Sequence, residues 1–558
     1  MSERPIRIAN ISGFYGDRLA AAREMVDGPD PIDVLTGDYL AELTMLILWK
    51  ARRKDPTTGY ATTFVRQMEQ VMGTCLDRGI RVVTNAGGLN PHGLAERLHE
   101  VAGRLGLTPR IAVVEGDDVL HLFAEEGPVT ANAYLGGWGI ATGLAADADI
   151  VVTPRVTDAA LVVGPAAWWH GWSRDDWDRL AGAVVAGHVI ECGPQATGGN
   201  YPFLDELPDA RYPGFPIAEV AEDGSSVITK QRGTGGAVTV GTVTAQLLYE
   251  IAEPAYANPD VVARFDTISL APDGPDRVRL SGTRGEPPSG RLKVALNHPG
   301  GWRNTMTLGV TGLDVEAKAE RALAMLAEVL GGWDQFAAHD VALVRTDERA
   351  IAHLRITVKD PDPDKVGRRF SNAVMELLLA SYAGAFTTTP PSAPSEYGVY
   401  RPALVAAGLV EHAVVLPDGT RRVVPHTEPA EVPTVAAPAV PAWSNDGPTE
   451  RLALGAVCGA RSGDKGGNAN IGLWARDDRA YAWLAHALTV ERLRELLPET
   501  ADLDVRRFEL PNLRALNFVV VGILGEGVAS SVRADPQAKG LGEHLRSRML
   551  DVPVSLLT

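Results

Sequence analysis

The chain has 558 residues, of which 45% are hydrophobic and 22% charged, and its formal net charge is −17. This length is too great for one hydrophobic core and predicts about three to four domains. The composition is typical of a globular protein, and the negative charge, without a clustered run of Lys and Arg, argues against nucleic-acid binding.

The sequence predicts neither a membrane span nor a disulfide framework. The start, MSERPIRIAN, enters a strand-like run at once and lacks the apolar region of a signal peptide. The longest apolar run near it, LTMLILW, is far shorter than a membrane-spanning helix. Cys75, Cys192 and Cys458 are odd in number and lack metal-ligand spacing, which fits a reducing cytoplasm.

The first 160 residues contain five short β-branched runs, each of which stops in a polar or glycine-rich loop and leads into a helix-like stretch. Their spacing suits right-handed β–α–β crossovers and predicts a mainly parallel α/β sheet in an N-terminal domain over 1–264. Ligands of open parallel sheets bind beyond the carboxyl ends of the strands. The five loops are therefore expected to face one cleft.

Loops one and two offer an anion clamp and a pair of acids. In SGFYGDR, Gly13 allows a tight turn, and Asp17 and Arg18 stand at a helix start that suits a carboxylate or phosphate. In TGDYLAE, Asp38 follows a strand and Glu42 lies one helical turn later, which suits general acid–base catalysis. The alternative is that Asp17 and Asp38 only cap helices.

Loop three, TNAGGLNPHG, is the richest in glycine. Asn85 and Asn90 flank the pair Gly87 and Gly88, and an amide donor beside main-chain N–H groups suits an oxyanion hole. A plain turn is the alternative, and His92 is expected on a helix surface. The loop lacks a complete G-x-G-x-x-G fingerprint, so a nicotinamide cofactor is not indicated.

Loops four and five combine acids with an arginine. VVEGDD places Glu115, Asp117 and Asp118 after a strand, as oxygen ligands for Mg²⁺ or as a catalytic base, with solvated surface acids as the alternative. TPRVTDAAL places Arg155 and Asp158 around a helix start. That pair suits a substrate carboxylate or phosphate, unless Asp158 only caps the helix.

Beyond residue 165 the regular alternation of strand-like and helix-like segments ends. Cys192, in ECGPQATGGN, has no histidine in a partner motif and is interpreted as a small hydrophobic residue rather than a nucleophile. Arg232, in QRGTGGAVT, resembles a second anion clamp, with turn formation as the alternative. Strand pairs followed by long helices predict an α+β domain over 265–415, and seven prolines predict an extended linker over 416–450.

Residues 451–558 form the last predicted unit, a small α+β sandwich. Its loop GARSGDKGGNAN has more glycines and polar groups than packing explains, and it is not a Walker A loop because its lysine lacks the required glycine spacing and a following Ser or Thr. Its candidate substrate-binding residues are Arg461, Asp464, Lys465 and Asn468.

Several common catalytic signatures are missing from the sequence. It has no G-x-S-x-G elbow, no H-E-x-x-H helix and no paired C-x-x-C motif, which argues against a serine hydrolase and a zinc enzyme. Of the catalytic classes considered, acid–base chemistry on an anionic small molecule remains.

The loop sequences resemble the acyclic terpene utilisation protein A (AtuA) family. The matching stretches are SGFYGDR, TGDYLAELTM, VVTNAGGLNP, VVEGDD, TPRVTDAAL, IECG, TGGNY and GTGGAV. RSGDKGGNANIGLWAR resembles the small ferredoxin-fold domain that follows the main domain in many members, so the resemblance covers nearly the whole chain. It implies a bacterial, cytoplasmic protein that takes part in the breakdown of branched isoprenoid acids as coenzyme A thioesters, near biotin-dependent acyl-CoA carboxylases.

The residues of the five loops and the resemblance to the AtuA family together favour a lyase or hydratase that acts by acid–base catalysis on a branched acyl-CoA or a hydroxy acid. Arg18 and Arg155 would hold its anionic ends, Asn85 and the loop-three amides would stabilise an enolate, and Asp38 or Glu115 would move the proton. No redox cofactor is needed. Coenzyme A enters as part of the substrate, and Mg²⁺ is a candidate at the acids of loops one, two and four.

Two alternatives stay open at this point. One is a non-catalytic binding or scaffold subunit that docks an acyl-CoA carboxylase through its C-terminal unit. The other is a Mg²⁺-dependent phosphate-ester hydrolase. In each case a homo-oligomer is expected.

Overall fold

The computed structural model describes residues 4–207, 211–346, 351–429, 438–444 and 447–557. The chain divides into two compact units. The first consists of Met1–Asn297, Arg401–Val528 and Gln537–Thr558, and the second of His298–Tyr400 and Ala529–Pro536. The N-terminal α/β domain and the small C-terminal domain therefore share the first unit.

The elements of the first 290 residues alternate strands and helices, as the hydrophobic pattern predicts. In chain order they are β1 (Ile6–Asn10), α1 (Ala21–Val26), β2 (Val34–Gly37), α2 (Glu42–Lys54), α3 (Thr62–Arg78), β3 (Arg81–Thr84), α4 (Pro91–Leu105), β4 (Ile111–Glu115), β5 (Thr130–Ala133), α5 (Trp138–Ala145), β6 (Ile150–Val152), α6 (Ala160–His170), α7 (Trp177–Ile190), β7 (Pro216–Val220), β8 (Ser226–Lys230), α8 (Val240–Leu247), β9 (Ala255–Ala257), β10 (Val262–Arg264), β11 (Ser269–Pro272), β12 (Val278–Ser281) and β13 (Arg284–Glu286).

The remaining elements belong to the middle and C-terminal parts of the chain. The middle part contains β14 (Arg291–Thr311), α9 (Val315–Leu330), β15 (Ala338–Thr346), β16 (Ile351–Asp360), α10 (Pro363–Val366), α11 (Arg368–Glu376), β17 (Phe386–Thr387), β18 (Ser395–Ala406), β19 (Ala413–Val415) and β20 (Arg421–Val423). The C-terminal part contains β21 (Thr449–Ala453), β22 (Cys458–Lys465), β23 (Asn468–Ala475), α12 (Asp478–Ala487), α13 (Val490–Leu496), β24 (Val505–Leu510), β25 (Ala515–Val520), α14 (Leu541–Arg546) and β26 (Met549–Pro553).

One large sheet organises the α/β domain, with the strand order β11-β12-β8-β7-β1-β2-β3-β6-β4-β19-β20. Its centre, β1-β2-β3-β6-β4, is parallel throughout, and antiparallel strands extend it on both sides. The predicted α/β fold with a parallel core is thus confirmed. Because the five central strands run in one direction, the loops that follow them emerge at the same edge of the sheet.

Helices cover both faces of this sheet. Successive side chains of a strand point to opposite faces, so Ile8 and Val34 pack with α5, α6 and α7, while Ala9 and Leu35 pack with α1, α3 and α4. Strands buried on both faces need apolar residues at nearly every position. That need explains why the central strands β1, β2, β3, β6 and β4 consist mostly of apolar residues.

The predicted middle domain and linker are divided differently in the structure. Strands β11 and β12 continue the large sheet through β8, and β19 and β20 join its other end beside β4. The second unit is therefore shorter than 265–415: it is an antiparallel sheet, β15-β16-β14-β17, with α9 and α11 on its apolar side. The predicted linker begins with Arg421–Val423 as a paired strand, and its residues 430–437 and 445–446 lie outside the described residues.

The C-terminal part is the predicted small α+β domain. Its antiparallel sheet has the order β22-β23-β25-β24, and β21 pairs with β26. Helices α12, α13 and α14 share a core with this sheet. Over the described stretches of the chain, every helix is too short or too polar to cross a bilayer.

Candidate functional site

A buried carboxyl group stands at the end of β2. Asp38 directly follows the strand, and its main-chain N–H donates to the carbonyl of Ser12 at 3.0 Å, which fixes loop two against loop one. Its side chain is only 5% exposed. Within the described residues, the hydrogen bonds that the carboxyl accepts, from Asn85 Nδ2 at 2.6 Å and from the Leu40 N–H at 3.2 Å, both reach Oδ1.

Asn85, at the end of β3, orients Asp38 rather than presenting its amide to a ligand. Its Nδ2 donates to Asp38 Oδ1, and its Oδ1 accepts the N–H of Tyr39 at 2.8 Å. The neighbouring glycine amides are also used: Gly87 donates to Thr153 O at 3.1 Å and Gly88 to Asn85 O at 3.2 Å. The oxyanion hole predicted for loop three is therefore not formed, because its donors tie loops two, three and five together.

Arg155, in loop five, is the buried cation of the site and is 3% exposed. Its Nη1 donates to the carbonyl of Leu40 and to Asp158 Oδ1, both at 2.9 Å, and its guanidinium lies 4.1 Å from the ring centroid of Tyr134. Its Nε is buried without a hydrogen-bond partner in the described part of the chain. A buried N–H that lacks an acceptor is costly, so a ligand oxygen that reached this N–H would gain a favourable hydrogen bond.

The surroundings of Asp38 make its ionisation more costly than in water. Burial raises the pKa of this carboxyl well above its usual value, and the charge of Asp158 raises it further, while Arg155 and Asn85 oppose the shift. A carboxyl whose pKa is moved towards neutrality is suited to proton transfer.

Asp117, in loop four, binds the main chain of Arg155. Its Oδ2 accepts Asn132 Nδ2 at 2.7 Å and the main-chain N–H of Arg155 at 3.3 Å. Burial raises the pKa of Asp117 to about 7, against these two hydrogen bonds. Asp117 thus joins loop four to loop five and contacts the backbone of a site residue.

Three further side chains, Glu42, Tyr134 and Lys293, lie around Arg155, and the sequence points only to Glu42 among them. Glu42, at the first turn of α2, accepts Lys293 Nζ at 3.1 Å and Tyr134 Oη at 3.2 Å. Burial opposes ionisation of Glu42, but Lys293 and Arg155 lower its pKa to about 2. Lys293 lies in β14, a stretch for which the sequence predicts strand pairs without a site residue.

Glu191 is the second buried carboxyl group of the region. It directly follows the mostly apolar helix α7, and its Oε2 is buried without a hydrogen-bond partner among the described residues. Burial, Asp158 and Glu250 raise its pKa well above the usual value. In the sequence, Glu191 could have been found as an isolated acid that follows fourteen mostly apolar helical residues. The half-buried Cys192 follows at once, beside Gly13, where an added Cβ would lie 2.6 Å from the Cys192 carbonyl carbon.

The glycine-rich loop of the C-terminal domain reaches the same region as a hairpin, β22–β23. Lys465 Nζ donates to the carbonyl of Glu250 at 2.7 Å, and Arg461 Nε donates to Gln195 Oε1 at 3.2 Å. Burial and Glu250 raise the pKa of Asp464 to about 8. Asn468 is different, since its Oδ1 accepts the N–H of Gly522 inside its own domain at 2.9 Å.

Glu115 does not belong to this group, and its predicted catalytic role is not supported. Its Oε1 accepts Arg421 Nε at 2.5 Å and its Oε2 lies 2.7 Å from His92 Nε2. Burial opposes ionisation, but Arg421 and His92 lower the pKa of Glu115. Two strands, β3 and β6, separate β4 from β2 in the sheet, so Glu115 forms an ion-pair cluster of its own.

The other two predicted arginine clamps are already paired. Arg18 Nε donates to Glu24 Oε2 at 3.1 Å, and Arg232 Nε donates to Asp30 Oδ1 at 2.7 Å. Both arginines are exposed. An exposed, paired guanidinium gives little binding energy to an anion, so neither is part of the buried group.

Asn90 caps a helix, whereas Asp17 binds main-chain N–H groups of its own loop and does not cap α1, which begins without a side-chain cap. Asp17 accepts the main-chain N–H groups of Gly13 at 2.8 Å and Arg18 at 2.7 Å. Asn90 accepts the N–H of Gly93 at 3.0 Å and begins α4. These side chains shape loops one and three.

The residues named above fall into two sets, those that lie around Asp38 and Arg155 and those that do not. The first, called the buried group, has a core of buried residues, Asp38, Asn85, Asp117, Arg155 and Glu191. The half-buried residues around this core are Asp158, Asp464, Lys465, Glu42, Glu250 and Lys293. No three His, Cys, Asp or Glu side chains among the described residues are arranged to hold a metal ion.

Comparison with known proteins agrees with the sequence resemblance. The family model described as acyclic terpene utilisation family protein AtuA matches residues 6–416, and the model described as AtuA ferredoxin-like domain matches residues 452–551. Neither the curated proteins nor the solved structures give a match to this chain.

Proposed function

This chain belongs to the acyclic terpene utilisation family AtuA, and on that premise we propose that it is a lyase or hydratase that acts on a branched acyl-CoA thioester or a related hydroxy acid by acid–base catalysis. The observation that carries the proposal is the position of a buried carboxyl group, Asp38, close to a buried guanidinium, Arg155, that has an unused N–H. The main chain of Leu40 donates to Asp38 Oδ1 and accepts from Arg155 Nη1. Coenzyme A enters as part of the substrate.

The proposed chemistry is the reversible loss of water from a 3-hydroxyacyl thioester. Asp38, as a carboxylate, takes the proton from the carbon next to the thioester carbonyl, and the electron pair moves towards the carbonyl oxygen. The Arg155 Nε–H donates to that oxygen and stabilises its charge. The β-hydroxyl then takes one proton from a second acid of the site and leaves as water, so that an enoyl thioester remains and Asp38 keeps the proton of the α-carbon. In the hydration direction each step runs in reverse.

The loops around the pair support this reading. Asn85 fixes Oδ1 of Asp38 and leaves Oδ2 for the substrate, and Asp158 and Leu40 hold one edge of the Arg155 guanidinium. Both groups are therefore preorganised before a ligand arrives, as effective acid–base catalysis requires.

The test uses the purified full-length chain and a panel of branched 3-hydroxyacyl-CoA and enoyl-CoA thioesters, followed by the ultraviolet absorbance of the conjugated thioester. We expect Asp38→Asn to lower kcat by about 10²–10⁴-fold, the usual contribution of a general acid or base. The matched control is Asp77→Asn, an exposed aspartate on α3, which should keep wild-type kcat. Equal kcat values in wild type and Asp38→Asn would contradict the proposal.

The two alternative functions, a Mg²⁺-dependent hydrolase and a scaffold subunit, predict other experimental outcomes. Hydrolysis of a phosphate ester that chelation abolishes would favour the Mg²⁺-dependent hydrolase. Absence of turnover, together with loss of acyl-CoA carboxylase binding when residues 451–558 are deleted, would favour the scaffold. We expect a homo-oligomer in the cytoplasm, which light scattering and cell fractionation can check.

A further inference from the structure

Among the segments of the α/β domain that the C-terminal domain contacts are the five residues Leu248–Ala252, which follow α8. Asn470 Nδ2 donates to Leu248 O at 2.7 Å, and Asn517 Nδ2 donates to Ala252 O at 2.8 Å. Asn470 and Asn517 are fully buried and are joined by a 3.0 Å hydrogen bond. Buried amides with all these partners indicate a permanent contact rather than a transient docking surface.

The glycines of the C-terminal hairpin are explained by this contact. An added Cβ at Gly472 would lie 2.5 Å from Leu248 Cβ, and one at Gly463 would lie 2.3 Å from the Tyr249 ring. Only glycine lets β22 and β23 approach the segment so closely. The glycine density that suggested a ligand loop therefore serves, at these two positions, to bring the two domains together.

Glu250, at the centre of the segment, has an unusual backbone that the C-terminal domain holds from both sides. Its φ is +56°, in the left-handed region that residues with a side chain seldom adopt. Its N–H donates to Asn470 Oδ1 at 2.9 Å, and its carbonyl accepts Lys465 Nζ at 2.7 Å. Strained backbone that the surroundings enforce is concentrated at functional sites.

We propose that Glu250 is a second acid–base residue of the site, and that Asn470 and Lys465 of the C-terminal domain are positioning residues that set the direction of its side chain. The proposal rests on the proposed function for its chemistry. It makes the ferredoxin-like domain a part of the site in the same chain, instead of a module for partner proteins.

The electrostatic surroundings agree with this placement. Burial raises the pKa of Glu250, and among the charged groups Glu42 raises it further while Lys465 lowers it. The thiol of Cys192 responds to the same groups, because burial, Glu191, Glu250 and also Asp38 raise its pKa. Cys192 therefore lies within electrostatic range of both Asp38 and Glu250.

Two carboxyl groups complete the proton balance of the reaction. The Asp38 carboxylate takes the proton from the α-carbon, the C–H electron pair becomes the new C=C bond, and the C–O bond to the β-hydroxyl breaks. Glu250, as a carboxylic acid, gives its proton to the departing hydroxyl, which leaves as water. Asp38 then loses and Glu250 gains one proton by exchange with solvent, so that no oxidant or reductant is needed.

Alkylation of Cys192 tests the placement without any substrate. Cys192 is half-buried, whereas Cys75 and Cys458 are buried, and peptide mapping assigns the label to each thiol. The neutral probe iodoacetamide reacts with the thiolate, so removing a nearby negative charge should speed the reaction. We expect Glu250→Gln to raise the rate at pH 8 by roughly threefold to tenfold, because the loss of this charge makes the thiolate easier to form. Glu253→Gln, an exposed change of the same kind, should leave it unchanged.

Asn470→Ala tests the positioning. Loss of the hydrogen bond to its N–H should let Glu250 turn away, so the Cys192 rate should rise as in Glu250→Gln, and the double variant should show no further increase. If Asn470→Ala does not fold, Asn470→Ser replaces it, and Glu250→Gln still decides the placement. An unchanged rate in Glu250→Gln, or additive effects in the double variant, would overturn the inference.

Turnover separates this inference from the proposed function. On a thioester that the enzyme converts, Glu250→Gln should lower kcat by about 10²-fold and remove one limb of its pH profile. A faster Cys192 reaction with no thioester converted would count against the proposed function and still support the position of Glu250. A normal kcat and pH profile in Glu250→Gln would overturn its acid–base role.

Discussion

Substituting Asp117 tests the electrostatic account of the site by stability alone. Asp117 is 6% exposed, and the hydrogen bonds from Asn132 and from the Arg155 N–H both reach its Oδ2. In Asp117→Asn the amide oxygen can take the place of Oδ2 and keep both bonds. The substitution therefore removes the charge and changes little of the geometry.

The size of the effect follows from proton linkage. Burial raises the pKa of Asp117 from 3.8 to about 7, so the folded protein holds this proton more tightly than the unfolded chain. Stability from this group is complete below the unfolded pKa and is lost as the pH rises through the folded one. Each pKa unit is worth about 1.4 kcal/mol, which gives a loss of about 4 kcal/mol above pH 8, of which about 2–3 kcal/mol falls between pH 5 and pH 8.

Calorimetric melting of wild type and Asp117→Asn between pH 5 and pH 8 measures this difference. The variant should gain stability relative to wild type as the pH rises, by a few degrees in Tm, and taking the difference cancels the other titrating groups. Asp77→Asn, at an exposed position, should follow wild type at every pH. A pH-independent difference between Asp117→Asn and wild type would refute the reasoning.

Two close contacts give further predictions. Gly13→Ala would place a Cβ 2.6 Å from the Cys192 backbone, so we expect a lower Tm and weaker thioester binding by calorimetry, whereas Gly103→Ala, in open space on α4, should stabilise the protein by about 0.5–1 kcal/mol. Asn517→Ala would leave the Ile251 and Ala252 carbonyls without their donor and should cost about 1–3 kcal/mol in denaturant unfolding; an unchanged midpoint would mean that the domains are not held by this contact.

The general position of the site could be predicted because it depends on local pattern. Runs of apolar residues that end in polar loops define parallel strands, and parallel strands bring their carboxyl ends to one edge. Asp38, Asn85 and Arg155 were selected for that reason, and they lie together. The roles within the loops were harder to predict, since Asn85 could equally donate to a ligand or to Asp38 until the register of the loops was known.

The failures have long-range causes. Glu115 follows its strand just as Asp38 does, but β19 and β20 return from residues 413–423 to add Arg421 beside it, and that segment seemed to be the end of a domain and a linker. Glu250 was missed because its importance comes from contacts with residues about 215 to 220 positions away. No local period or spacing contains this information. The homo-oligomer, the cytoplasmic location and the substrate stay predictions.

The charge of the site leads to a last prediction about substrate binding. Among the described residues of the buried group, carboxyl groups outnumber the cations Arg155, Lys293 and Lys465, and a fully ionised site would repel an anionic thioester. Burial and Glu250 raise the pKa of Asp464 to about 8, so this carboxyl is largely neutral at pH 7 and becomes charged above pH 8. The thioester should therefore bind more weakly as the pH rises through 8, because a negative charge then appears beside Lys465. In Asp464→Asn this loss should shrink, since the side chain stays neutral. Isothermal titration with a thioester between pH 6.5 and pH 9 compares the two proteins, and an identical decline of affinity in both would show that another group causes it.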